Sequence, residues 1–210
     1  MRGGSFTFLP LLLAPCALLA QQGTVTILPA EQQIAGAVAP LPPELREDAI
    51  VLGYRPLGRG LVTLREGSGE MICLADDPFE AERFHAACYH RSLEPFMARG
   101  RELRAQGVID RAIIDSVRQA EAESGALPMP EHPAALYSLT GPAGAFDAAT
   151  GEVTGATPLF VLYMPWATAE VTGLSARPKR GEPWIMFPGK PWAHIMLVPP
   201  AADTLQSGER

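Results

Sequence analysis

The sequence predicts an α+β fold: a mainly antiparallel sheet with a central block of about three helices packed on one face. Three observations carry this. Short runs of β-branched and aromatic residues separated by turn residues fill 49–75, apolar residues at helical spacing fill 77–125, and short strand-like runs return between 135 and 198. Strands and helices that come in blocks, rather than alternating singly, segregate the helices from the sheet.

The first strands are Ile50 to Tyr54, Leu61 to Arg65 and Met71 to Ala75. Pro56-Leu57-Gly58 and Gly67-Ser68-Gly69 separate them, which predicts a three-stranded antiparallel meander. Asp77-Pro78-Phe79-Glu80 then has the layout of a capping box, an acceptor before a proline with glutamate three residues on. Ala81, Phe84 and Cys88 follow at helical spacing, so a first helix is expected there. A second starts near Ser92 with Leu93, Phe96, Met97 and Leu103 on one face; Pro95 lies in its first turn and Gly107 stops it. A third runs from Asp110 towards Ser124, burying Ile113, Val117 and Ala120, and stops at Gly125.

Leu127-Pro128-Met129-Pro130 ends the helical block. The returning strands are Ala135 to Thr140, Pro158 to Met164, Trp184 to Phe187 and Ala193 to Val198, with Phe146 to Gly155 as a turn-rich hairpin or loop. Gly181-Glu182-Pro183-Trp184 and Gly189-Lys190-Pro191-Trp192 form a local near-repeat, too short for a solenoid, that reads as two similar strand entries.

The ends bound the rest. Arg2 followed by the uncharged apolar run Phe6 to Leu19, then Ala20-Gln21-Gln22, has the three-part layout of an export signal cleaved after residue 20. The run is shorter than a membrane span and is broken by Pro10 and Pro15. A lipoprotein reading would place the lipid on Cys16, but Pro15 directly before it is a poor match, so ordinary cleavage fits better. Residues 21–48 read as an extended arm with a short helix around Glu31 to Val38, residues 49–200 as a single α+β domain, and 201–210 as a polar, flexible tail.

Removing Arg2 with the signal leaves the remainder one unit more acidic than the −6 of the whole chain. That balance opposes nucleic-acid binding. Beyond Cys16 the cysteines are Cys73 and Cys88, an even pair suited to an oxidising compartment. A bridge between them would contribute roughly 3 kcal/mol in the chain-entropy model.

Phosphate-loop, dinucleotide-fingerprint, His-Glu-x-x-His and nucleophile-elbow strings are absent, and no cofactor is expected. Cys73, His85, Cys88 and His90 are metal-capable types, yet oxidised cysteines in an exported chain leave no thiolate, so no metal site is assigned. Asp76 and Asp77 read as caps rather than a catalytic carboxylate pair. Arg91, Arg99, Arg101 and Arg104 beside the second helix could form a basic face for a membrane or an acidic partner; solvated surface arginines are the commoner case and the better reading.

The preferred site lies further on. Residues 119–176 hold no Lys or Arg, whereas Arg177, Lys179, Arg180 and Lys190 follow closely. Trp166, Trp184 and Trp192, each preceded by proline, share that region. Flat aromatic side chains on stiff backbone beside cations suit a small anionic, sugar-like or aromatic ligand. His194 on the strand leaving the region is a weak candidate acid or base for an alternative reading, an envelope hydrolase. A structural or protein-interaction module of the cell envelope is the third class.

Met71-Ile72-Cys73-Leu74-Ala75-Asp76-Asp77-Pro78 with Cys88-Tyr89-His90, Leu93-Glu94-Pro95-Phe96-Met97-Ala98-Arg99-Gly100, and Pro191-Trp192-Ala193-His194-Ile195-Met196 resemble a group of uncharacterised exported bacterial proteins. The resemblance implies bacterial export to the periplasm or beyond, and no activity.

Overall fold

The computed structural model describes residues 25–56, 58–80 and 82–199. The expected export signal with Cys16, residues 21–24, Leu57, Ala81 and everything from Pro200 onward lie outside the described residues. Eight strands form one mixed, mostly antiparallel sheet: β1 (Ile50–Gly53), β2 (Val62–Arg65), β3 (Met71–Leu74), β4 (Arg83–His90), β5 (Ala134–Pro142), β6 (Thr157–Tyr163), β7 (Trp184–Met186) and β8 (His194–Leu197). Their spatial order is β2-β1-β3-β4-β5-β6-β8-β7. The helices are α1 (Ala30–Val38), α2 (Glu94–Ala105), α3 (Arg111–Glu123) and the short α4 (Ala169–Thr172). The fold is α+β.

The first three strands do not form the expected meander. β1 is antiparallel to β2 but parallel to β3, so β1 lies between them. Burial explains the order. Met71, Ile72 and Cys73 are all buried, so β3 must be covered on both faces, whereas β2 is largely exposed and takes the edge. The glycines read as a turn carry the chain from β2 past the start of β1: Gly69 N–H donates to Asp48 O at 2.8 Å, and a Cβ on Gly67 would lie 2.2 Å from that same oxygen.

The expected first helix is instead strand β4. Asp77 does accept from Phe79 N–H, at 2.9 Å, but the bond closes a turn that leads into extended chain. From there Phe84, Ala86 and Cys88 are buried while Arg83 and His85 are exposed, an alternation of period two. Phe84 and Cys88 also suit a helical face, and the partners on β3 and β5 decide between the periods. Cys73 and Cys88 face each other across β3 and β4 and form a fully buried disulfide.

Nor do the helices share one face. α1 contributes Ala37 and Val38 to a cluster with Val51, Cys73 and Cys88. The alternate residues Ile72 and Tyr89 pack with Leu93 and Met97, at and beyond the start of α2. Successive strand residues point to opposite faces, so α1 covers one side and α2 the other. Gly36, Ala37, Val38 and Leu41 are buried against the sheet, whereas residues 43–48 are exposed. α2 follows a single 3-10 turn at Arg91–Leu93 and ends at Gly107, whose φ of 88° suits glycine.

α3 is capped by Asp110, which accepts from Ala112 N–H at 2.8 Å. Its buried face is turned one residue from expectation, with Ile114 1% exposed and Ile113 51%. The reason is a polar seam: Arg99 of α2 holds Glu121 of α3 through contacts of 2.7 and 2.9 Å.

Candidate functional site

Two loops beyond β6 and β7 are joined backbone to backbone. Met164 N–H donates to Ala193 O at 2.9 Å, Trp166 N–H to Lys190 O at 2.9 Å, and Gly189 N–H to Ala167 O at 2.8 Å. Within this double loop, Trp166 has φ 65° and Phe187 φ 53°. Bulky side chains avoid the left-handed region at a cost of roughly 1–2 kcal/mol each, so the cross-loop bonds must hold them there. Trp166 is nevertheless 44% exposed. A strained backbone that presents an indole to solvent is not explained by packing.

Trp166 forms one wall of an open groove of about 520 Å³. Val171, Met129, Glu131, His132 and Pro133 line it together with Trp166. Pro130, Pro133 and Pro165 stiffen the groove walls. An aromatic platform with carboxylate and imidazole groups on its rim can stack a flat apolar face and hydrogen-bond the polar edges of the same molecule.

The expected ligand residues separate into three groups. Trp166 and Lys190 meet through their backbones, and Lys190 Nζ reaches Gln119 at 3.1 Å. Trp184 and Trp192 are buried and serve the core. Trp192 stacks on Phe96 with ring centres 6.0 Å apart, and Trp184 sits on β7 with its indole N–H unpartnered. Arg177, Lys179 and Arg180 are exposed; Gly181 N–H binds Val198 O at the far end of β8, and Lys179 pairs with Glu182. The four steps along the chain from His194 to Val198 put roughly 13 Å between the turn at Gly181 and the His194 end of the strand. Lys179 and Arg180 therefore stand away from Trp166, whereas Lys190 adjoins it.

His194 is 9% exposed and lies between Tyr163 and Phe187, ring centres 4.9 and 5.8 Å away. Its Nδ1 donates to Trp192 O at 2.8 Å, because a carbonyl can only accept, and burial lowers its pKa. The ring is neutral, with Nε2 bearing the lone pair. No hydroxyl or thiol hydrogen-bonds it among the described residues. Close by, Arg118 lies 4.0 Å from the centre of the Phe96 ring and bonds Asp115 at 2.5 Å. That aromatic pocket already has a cation of its own.

The remaining constellations have structural partners. The disulfide takes both cysteines out of any ligand set, His85 Nδ1 meets Thr140 Oγ1 at 2.9 Å, and His90 Nδ1 meets Ser92 Oγ at 2.9 Å. Asp76 accepts from His85 N–H at 2.7 Å, so both aspartates secure the turn into β4. Arg101 binds Glu94 and the Tyr89 hydroxyl, Arg91 binds Glu70, and Arg99 binds Glu121. These arginines neutralise neighbours rather than present a free basic face.

Glu131, His132 and Phe187 were not singled out by the sequence. Proline spacing in Pro128-Met129-Pro130-Glu131-His132-Pro133 marks a stiff exposed segment, but nothing in it announces a groove shared with Trp166. No protein-family model, curated protein or solved structure matches the chain.

Proposed function

We propose that this chain is an exported bacterial binding domain that takes a sugar-like ligand on Trp166. The observation that carries the reading is the exposed indole on left-handed backbone, held by the Lys190 bond at the wall of a groove. Lys179 and Arg180 stand away from Trp166 and the Lys190 ammonium is held by Gln119, which favours a neutral ligand over an anion. Glu131 and His132 supply an acceptor and a donor–acceptor for hydroxyl groups. The apolar leader pattern and the buried disulfide support export.

Because Trp184 and Trp192 are buried, ligand-dependent fluorescence should come chiefly from Trp166. Titration with neutral oligosaccharides, including glucose-linked and N-acetylglucosamine-linked series, should give a saturable emission change with at least one series. Trp166→Ala should abolish it and leave the melting curve close to that of the parent. Equal binding by the variant, or a flat response across the series, overturns the proposal.

A further inference from the structure

At the other end of the molecule, a cavity of about 130 Å³ lies between the chain leading into α1 and the β3–β4 turn. It is narrower and more enclosed than the Trp166 groove. Ile27, Leu28, Phe84 and Phe146 give it apolar walls, and Phe84 and Phe146 stack with ring centres 5.9 Å apart. Its wall carries one carboxylate, that of Asp76.

Asp76 is half-buried and forms no ion pair with a Lys, Arg or His among the described residues. One of its oxygens is fixed by His85 N–H at 2.7 Å. Burial raises its pKa, the His85 bond opposes that rise, and the nearby Asp77 charge adds to it. The nearest arginine on the same rim, Arg83, is engaged with Glu80 at 2.9 Å, and Arg59 lies over the Phe79 ring. Gln32 lines the cavity with no side-chain hydrogen bond among the described residues, whereas Gln33 is fully used by Leu28 and Tyr54. A carboxylate in an apolar wall without a countercharge is costly unless a cation meets it.

We infer that this cavity is a second binding site, for a small protonated amine with a short apolar body, whose ammonium group pairs with Asp76. At about 30 Å³ per water-sized group the cavity holds about four such groups, the size of a short alkylamine. Asp77 beside it adds negative potential that attracts a cation. The site stands apart from the Trp166 groove and does not depend on the sugar reading.

The test uses n-butylammonium chloride, with 1-butanol as its uncharged counterpart, followed by amide NMR shifts of the purified protein. Butylammonium should give saturable shifts confined to Gly36, Ala75, Asp76 and His85. Butanol should bind at least tenfold more weakly. Asp76→Asn, which keeps an acceptor for His85 N–H, should weaken the amine at least tenfold, and Trp166→Ala should leave it unchanged. Equal affinity for amine and alcohol in the parent protein overturns the inference even if Asp76→Asn fails to fold. So do equal amine binding by a folded Asp76→Asn, or shifts spread over the acidic surface.

Discussion

Single residues decide most of what this chain can do chemically. Trp166 and Trp192 both follow proline in near-identical contexts, yet one is exposed and the other stacks on Phe96. Composition could bring the tryptophans and cations into one region, but which indole reaches solvent depends on packing from α2 that has no local signal. His194 shows the same dependence and allows a signed prediction. Its pKa is lowered by burial, so between its folded pKa and about 6.5 the unfolded chain binds a proton that the native protein does not. Stability therefore falls as pH drops through about 6.5 and levels off below the folded pKa. Urea unfolding at pH 7.5 and 5.5 should show a larger loss in the parent than in His194→Gln. His85, also lowered by burial, contributes alike to both proteins and cancels in the comparison. An equal loss in both would show that the His194 ring is protonated in the native state.

At the scale of elements, the crossing from β2 to β3 is the most demanding step. A methyl on Gly67 would meet the Asp48 carbonyl at 2.2 Å, with Ala49 and Ile50 backbone close behind, and no flexible side chain can yield. Gly67→Ala should cost roughly 2 kcal/mol or more in denaturant unfolding. Gly60→Ala, where nothing lies within 4 Å, should stay within about 0.5 kcal/mol. Similar costs for the two would remove the close approach as a constraint. The existence of these glycines was legible, and so were seven of the eight strands, because turn residues and β-branched runs are local signals. β4 was not. Phe84 and Cys88 satisfy both a period of 3.6 and a period of 2, and a capping-box layout preceded them. Only the ladders with β3 and β5 resolve the choice. The face of α3 was misread for a related reason, since Arg118 and Glu121 turn inward to charged or aromatic partners that no apolar pattern records.

Across the whole molecule, the sheet is clothed unevenly. α2 and α3 lie over one face, while the other carries α1 above β1, β2, β3 and β4. Towards β6 and β8 that second face is open, with Phe160 and Leu162 each more than a third exposed. α1 is therefore the cover for the buried disulfide and its neighbours. Ala37, Val38 and Leu41 are buried there, and the Gln33 amide donates to Leu28 and Tyr54 carbonyls while its oxygen accepts from Tyr54 N–H. Burial of the two larger side chains is worth about 1.5–3 kcal/mol each, and a marginally stable protein has only about 5–15 kcal/mol in total. A chain starting at Ala49 would also bare Val51, Met71 and the disulfide beside an already open apolar surface. Such a truncation should lose its cooperative thermal transition and aggregate, whereas one starting at Val25 should melt like the full chain. A cooperative transition in the chain from Ala49 would make residues 25–48 a dispensable arm and would locate the stability of the sheet in α2, α3 and the strand ladders alone.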